Sequence, residues 1–185
     1  KFNFDGQIFP LVVGSNRSDN TIFLGRLFPN GLIKKVIQND IKSRIKEVYG
    51  ITTFDSEKEK YIILSGKDGT VEQWEINVEM DDINVNLVRT IKFNSIVEGL
   101  VTDLMYRKIY IAEENVGLWE INVDLEVDLD KKLILSVDEK YFKSDFEGVT
   151  LYEKDDGEGY IIVKIQGNNS FEIINKKKKK MLSVF

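Results

Sequence analysis

Five carboxylates lie beside short apolar runs in the second half of the chain. Carboxylates held close together cannot all stay ionised unless a cation balances their charge. Oxygen atoms are also the ligands that Ca²⁺ prefers. If the fold brings these acids together, the sequence predicts a site for several calcium ions. The five residues are Glu98, Glu113, Glu114, Asp145 and Glu147.

The first half of the chain supplies side chains that suit phosphate. Arg17, Tyr49 and Lys67 can each donate hydrogen bonds to phosphate oxygens. Donors on one side and bound cations on the other would form a cradle for a polyanion. Any of these acids or bases taken alone is more simply a solvated loop residue, and it is their recurrence along the chain that favours a site.

Two residue types are missing, and their absence narrows the chemistry. The 185 residues include no Cys and no His, which excludes thiolate nucleophiles, zinc–thiolate sites and imidazole acid–base chemistry. Hydrolysis would have to use carboxylates, Lys, Arg, Tyr or a metal-bound water. The net charge of −5 disfavours a nucleic-acid partner and suits hard cations. Every apolar run is shorter than the roughly 18 residues that span a bilayer, so we expect no membrane partner.

A repeat of about 50 residues organises the chain. Gly50, Gly99 and Gly148 follow one another at intervals of 49 residues. Each repeat holds four short β-like runs separated by polar turns. A period near 50 with several strands per unit is typical of a β-propeller with one four-stranded antiparallel blade per repeat. Two further sets are interpreted as part of this repeat, namely Tyr61, Tyr110 and Tyr160, and the third-strand segments Trp74-Glu75-Ile76, Trp119-Glu120-Ile121 and Phe171-Glu172-Ile173.

The repeat predicts an all-β chain that forms one partial β-propeller domain over residues 1–185. An incomplete blade covers 1–38, and blades cover 48–93, 97–138 and 145–185. The polar stretch Asn39 to Glu47 is expected to be a short helical turn at best. Propellers close with about 4 to 8 blades, so we expect further blades, or a second chain, to complete the ring.

The meander predicts where the polar residues meet. In an antiparallel blade the first strand begins, and the second strand ends, at the same edge. Tyr49, Glu98 and Glu147 precede first strands, so we expect them to meet the residues that follow second strands. The latter residues are Arg17, Lys67, Asp68, Glu113, Glu114 and Gln166. The lysine run Lys176 to Lys180, by contrast, is expected to be a solvated turn between two strands.

At these positions the chain resembles the β-propeller phytases, the calcium-dependent alkaline phytase family. The matching motifs run in the family's order across nearly the whole chain. They are Ser15-Asn16-Arg17-Ser18, Glu47-Val48-Tyr49-Gly50, Ser65-Gly66-Lys67-Asp68-Gly69, Val97-Glu98-Gly99, Tyr110-Ile111-Ala112-Glu113-Glu114, Asp145-Phe146-Glu147-Gly148, Gly159-Tyr160-Ile161-Ile162 and Gln166-Gly167-Asn168. The resemblance implies a six-bladed ring with several calcium ions on one face. It also implies a 3-phytase-like phosphoric monoester hydrolase that acts on phytate (inositol hexakisphosphate) or calcium phytate through metal-activated water.

The resemblance also implies roles for single residues. The implied calcium ligands are Glu98, Glu114, Asp145, Glu147 and Gln166, and the first four are the implied catalytic residues. The implied substrate contacts are Arg17, Tyr49, Lys67 and Asp68, and Asp68 stands where the family commonly has Glu. Further family motifs are expected in blades before Lys1 and after Phe185.

Two other functions are consistent with the same residues. The propeller could bind calcium without catalysis, for stability or for a partner. It could also be a calcium-dependent esterase or lactonase, which would not need the donors Arg17 and Lys67. The lack of Cys fits a secreted or extracellular bacterial enzyme, and a chain that opens at Lys1 without a signal segment is expected to be processed or trimmed.

Overall fold

The structure, a computed structural model, describes residues 2–4, 7–37, 39–79, 82–127, 129–137, 145–166 and 169–184. These residues form eighteen β-strands and no helix, which confirms the predicted all-β class. Accordingly, none of them belongs to a helix that could cross a membrane. The strands are β1 (Phe2–Phe4), β2 (Gln7–Phe9), β3 (Leu11–Asn16), β4 (Thr21–Leu27), β5 (Ile33–Lys35), β6 (Ile41–Lys42), β7 (Val48–Asp55), β8 (Lys60–Gly66), β9 (Thr70–Glu79), β10 (Asp82–Lys92), β11 (Val97–Asp103), β12 (Lys108–Glu113), β13 (Gly117–Asn122), β14 (Lys132–Ser136), β15 (Phe146–Glu153), β16 (Gly159–Ile165), β17 (Ser170–Asn175) and β18 (Lys180–Val184).

The strands form four antiparallel sheets arranged as propeller blades. Strands β7 to β10, β11 to β14 and β15 to β18 are four-stranded meanders in chain order, which we call the second, third and fourth blades. The first blade contains β3 to β6, and β1 and β2 form a separate hairpin. Strand β11 packs against both β7 and β15, so the first strand of each full blade is its innermost. The predicted propeller of antiparallel blades is confirmed.

The apolar core lies between the blades. Ile62 and Leu64 of β8 pack with the first blade, whereas Ile63 of the same strand packs with the third blade. Successive side chains of a strand point to opposite faces, so a strand covered on both faces must be apolar at every position. This explains the uninterrupted run Tyr61 to Leu64, all of which is buried. The same reasoning applies to β12, where Ile109 and Ile111 face the second blade and Tyr110 faces the fourth.

The stretch 39–47 is not a helical turn, so this prediction was wrong. Ile41 and Lys42 form β6, which pairs with Thr21 and Ile22 of β4. Strand β5 pairs farther along β4, so the outer edge of the first blade is split into two short strands. The apolar residue Ile45 is only 1% exposed and packs in the core beside the second blade. Ile41 and Ile45 both pack against strands and do not line one face of a helix, so the segment is not helical.

The internal alignment of the repeats is also corrected by the strand pairing. Gly50 pairs with Ser65 in the second blade, whereas the equivalent Gly99 pairs with Ala112 in the third. The third-blade hairpin is therefore two residues shorter, and Tyr110 occupies the position of Ile63 rather than that of Tyr61. The third-strand segments shift in the same way. Leu64, Ile111 and Val163 lie opposite Glu72, Trp119 and Glu172 respectively.

The lysine run forms the predicted turn between β17 and β18, but two of its side chains are not solvated. Lys176 is fully buried, with its ammonium 3.1 Å from the equally buried Asp103 of the third blade. Lys179 forms an ion pair with Glu120 at 2.5 Å. Burial lowers the pKa of Lys179, although the Glu120 carboxylate opposes this shift. The turn therefore ties the fourth blade to the third.

Candidate functional site

Three rim residues occupy the same place in successive blades. The backbone N–H of Lys67 donates to Glu47 O at 3.2 Å, and that of Glu114 donates to Ile96 O at 2.9 Å. The backbone N–H of Gln166 donates to Asp145 O at 3.0 Å. In each blade the residue after the second strand is thus tied to the residue before the first strand. These hydrogen bonds bring the end of each second strand to the edge at which the first strand begins.

A second set of rim residues lies at β-bulges. The pairing of β7 with β8 shifts between Val48 and Gly50, and that of β11 with β12 shifts between Val97 and Gly99. In the fourth blade the shift lies between Phe146 and Val149. A bulge leaves a residue outside the regular ladder and re-aims its side chain. The residues within these three bulges include Tyr49, Glu98 and Glu147.

The glycines after these rim residues permit close contact between blades. A Cβ on Gly50 would lie 2.5 Å from Glu98 O, and a Cβ on Gly99 would lie 2.1 Å from Glu147 O. Gly50 and Gly99 therefore each pack directly against the backbone of the acidic rim residue in the next blade. This contact spaces the inner strands and sets the separation of the rim side chains.

We expect Gly99→Ala to lower the free energy of unfolding by about 2–4 kcal/mol, because the new methyl group would overlap backbone atoms that cannot rotate away. Chemical denaturation followed by tryptophan fluorescence measures this loss. Gly14→Ala is the matched control, since an added Cβ there meets no atom within 4 Å. Equal effects of the two substitutions would contradict the proposed close packing.

Two basic residues, one from each of the first two blades, lie against the same aromatic ring. The Arg17 guanidinium carbon lies 4.3 Å from the centroid of the Tyr49 ring, and the Lys67 ammonium lies 5.0 Å from it. Arg17 Nε also donates to Val48 O at 3.1 Å. The Lys67 ammonium pairs with Glu47 Oε1 at 2.5 Å. Two cationic donors are therefore positioned side by side at the rim.

The carboxylates of the third and fourth blades form one electrostatic group. Burial, followed by the charges of Asp145, Glu98 and Glu147, raises the pKa of Glu114. Burial, followed by the charge of Glu147, raises the pKa of Glu98. Tyr49 donates a hydrogen bond to Glu98, which links the acidic group to the basic one. The four acids repel one another, and a bound cation would relieve this repulsion.

Some predicted site residues have other contacts. Glu113 is fully buried and accepts hydrogen bonds from the backbone N–H groups of Asn94 and Ser95 and from Trp119 Nε1, at 2.7–2.8 Å. It holds the segment that enters β11 and does not join the acidic group. Asp68 accepts hydrogen bonds from the backbone and hydroxyl of Thr70 at 3.1 and 2.9 Å, so it shapes the turn after β8. Gly167 and Asn168, which follow Gln166 in the quoted motif, lie outside the described residues.

Sequence reasoning missed one rim residue, Lys164. Its ammonium forms an ion pair with Glu147. The only signal was compositional, because Lys164 interrupts the apolar strand Gly159–Ile165. A lysine near the end of a strand is ordinarily expected to be exposed to solvent.

The donor set suits hard cations, but it is not a preformed cage for one ion. Among the described residues, no three acidic side chains converge closely enough to bind the same metal. Calcium also accepts backbone and amide carbonyl oxygens and water as ligands. Each ion could therefore take one or two of these carboxylates and complete its shell with such neutral oxygens. The side-chain amide of Gln166, which is exposed at the rim, is one available donor.

The chain has relatives in sequence that match it over nearly its whole length. A family model described as Phytase matches residues 1–185. The chain is 32% identical, over 186 residues, to a protein named 3-phytase from Bacillus subtilis (strain 168). That match covers 96% of this chain and 49% of the relative, so the chain spans about half the relative's length.

The fold is also shared with a solved structure whose sequence has little identity to this chain. The crystal structure of a functionally unknown protein from Desulfotomaculum acetoxidans DSM 771 superposes with a TM-score of 0.67 at 12% identity. The superposition covers 96% of this chain and 56% of that one. At this identity the likeness supports the fold alone.

Proposed function

This chain belongs to the phytase family, and from this we propose that the protein is a phosphoric monoester hydrolase that releases phosphate from phytate. We further propose that it depends on calcium, that its substrate is phytate or calcium phytate, and that it acts outside the cell. The observation that carries the proposal is the juxtaposition at one rim of two cationic donors and four mutually repelling carboxylates.

In this proposal the acidic group holds calcium. Glu98, Glu114, Asp145 and Glu147 supply charged oxygens, and Gln166 supplies a neutral one. Calcium bound there would act as a Lewis acid that lowers the pKa of a water molecule and screens phosphate charge. The positions of these ligands on the rim would determine how far a bound calcium ion lies from Arg17 and Lys67.

The basic group positions the phosphate. Arg17 and Lys67 share the Tyr49 ring, so their charges are held close together. Such donors bind phosphate oxygens strongly and stabilise the charge that moves onto them during transfer. Lys67 would exchange the carboxylate of Glu47 for a phosphate oxygen, since both bind the same ammonium. Asp68 contributes indirectly, by shaping the turn that carries Lys67.

The available side chains favour direct attack by water over a covalent intermediate. The chain has no Cys and no His, which removes two of the side chains that can form a covalent phosphoenzyme. The acidic rim residues are instead suited to hold the cations and to orient a water molecule for in-line attack. The paired donors at Tyr49 also favour a phosphate ester over the carboxylic esters and lactones that calcium-dependent propeller esterases hydrolyse.

The proposed function is tested by phosphate release from calcium phytate by the complete protein. We expect removal of calcium with a chelator to lower release by about 100-fold or more, and added calcium to restore it. Release that continues at full rate in the chelated protein would refute the calcium-dependent mechanism. Calcium-dependent melting without any phosphate release would identify a non-catalytic propeller, and turnover confined to an ester panel would identify an esterase.

A further inference from the structure

Lys164 breaks the pattern of the repeat. Arg17, Lys67, Glu114 and Gln166 follow the second strands of the four blades. The position two residues earlier holds Ser15, Ser65 and Ala112 in the first three blades and Lys164 in the fourth. Ser65 and Ala112 are fully buried, and Ser65 lies beneath the contact between Gly50 and the next blade. A small side chain is what this packing requires, so a lysine there has no packing explanation.

The Lys164 side chain reaches the acidic group. Its ammonium forms an ion pair with Glu147, whose side chain is 12% exposed, while that of Lys164 is 48% exposed. Its charge also acts on Glu98. Among the ion pairs of the described chain, this is the one that engages any of Glu98, Glu114, Asp145 or Glu147.

An ammonium and a calcium ion need the same carboxylate oxygens. We propose that Lys164 is a built-in counter-cation, which neutralises Glu147 in the calcium-free protein and must leave it when a divalent cation binds. Lys164 thereby sets how tightly the rim binds calcium. The lysine is suited to this exchange because it is a point charge on a flexible stem, and its exposed position lets it swing into water.

Competition of this kind has a definite sign. Removing the positive charge frees Glu147 and removes the repulsion between Lys164 and an incoming divalent cation. The variant should therefore bind calcium more tightly than the wild-type protein. A merely structural ion pair predicts the reverse, because its loss would loosen the rim and weaken binding. The proposal rests on the proposed function only in taking Glu147 as a calcium ligand.

The test is calorimetric titration of the complete, calcium-stripped protein with calcium at fixed pH and ionic strength. We expect Lys164→Met to bind calcium about tenfold more tightly than wild type. Lys164→Arg, which keeps the charge, should retain an affinity close to that of wild type. Lys60→Met is the matched control, since Lys60 pairs with Asp55 at the far end of the second blade, and its loss should leave the affinity unchanged.

Thermal melting gives a second readout that does not depend on activity. In Lys164→Met the calcium-free protein should melt lower, because Glu147 loses its partner, while the calcium-induced rise in melting temperature should grow. Unchanged or weaker calcium binding by Lys164→Met would overturn the proposal, as would an equal gain in Lys60→Met.

Including Glu114→Ala in the same titration separates the two proposals. If wild type binds calcium and Glu114→Ala does not, the acidic rim binds the ion, and the result for Lys164→Met decides the role of Lys164 alone. If wild type does not bind calcium, both proposals are overturned.

Discussion

Replacing Glu114 by Gln is expected to lower calcium-dependent phosphate release from phytate by about 100-fold or more. The Glu114 carboxylate interacts electrostatically with all three other members of the acidic group, Asp145, Glu98 and Glu147. Gln keeps the size of the side chain and one carbonyl oxygen but removes the charge that a cation needs. Steady-state kinetics at saturating calcium, together with calcium titration, measures the loss.

The backbone around Glu114 makes this substitution a clean one. Its N–H donates to Ile96 O at 2.9 Å, and its carbonyl accepts from the Phe146 N–H at 3.2 Å. These bonds hold the residue between the third and fourth blades whatever its side chain, so Glu114→Gln should fold normally. Glu57→Gln, in the exposed turn between β7 and β8, is the control for the same loss of charge. Activity within a few-fold of wild type in Glu114→Gln would contradict the role proposed for the acidic group.

The positions of the rim residues could be predicted because they follow from local rules. The repeat of Gly50, Gly99 and Gly148 fixes where each first strand begins, and a meander brings the end of the second strand to the same edge. These two rules alone assign Tyr49, Glu98 and Lys67 to one edge. The pairing of β7 with β8 and of β11 with β12 produces that convergence.

The distinction between Glu113 and Glu114 depended on a detail that a motif does not show. Both follow the same apolar run, but Glu113 is the last residue of β12 and its side chain is fully buried. Its partners are backbone groups of residues 94 and 95, almost twenty positions earlier. Only the turn to the next residue directs Glu114 to the rim. The inward or outward orientation of adjacent residues is settled by strand register, which is sensitive to a single-residue shift.

The contacts between blades could not be predicted from the repeat, because they join residues that no local pattern relates. The hairpin after β11 is two residues shorter than its counterpart in the second blade, so Tyr110 takes the position of Ile63, and its side chain packs against the fourth blade. There the Tyr110 hydroxyl lies 2.5 Å from the Lys179 ammonium. A run of lysines on a turn is normally solvated, and its burial here depends on an acidic partner in another blade.

Lys176→Met is expected to lower the free energy of unfolding by about 3–5 kcal/mol, because it leaves Asp103 charged and buried without its partner. Both side chains are fully buried, and the Lys176 ammonium also lies 2.8 Å from Glu153. Although burial alone lowers the pKa of Lys176, its hydrogen bonds to Glu153 and Asp103 raise it above the usual value. Lys176 therefore stays charged at neutral pH. Denaturant unfolding at neutral pH measures the loss of stability.

The same turn provides the control, because Lys178 is an exposed neighbour of Lys176. Lys178→Met removes the same charge and should change stability by less than about 0.5 kcal/mol. The double variant Lys176→Met with Asp103→Asn should recover most of the lost stability, since neither residue is then charged, and Asn can still accept the hydrogen bond from the Tyr106 N–H. A Lys176→Met variant no less stable than Lys178→Met would show that the buried pair does not hold the blades together.

The loss of this contact should also weaken calcium binding at the opposite end of the interface between the third and fourth blades. Asp145 and Glu147 belong to the fourth blade, and Glu98 and Glu114 belong to the third, so the acidic group depends on how these two blades pack.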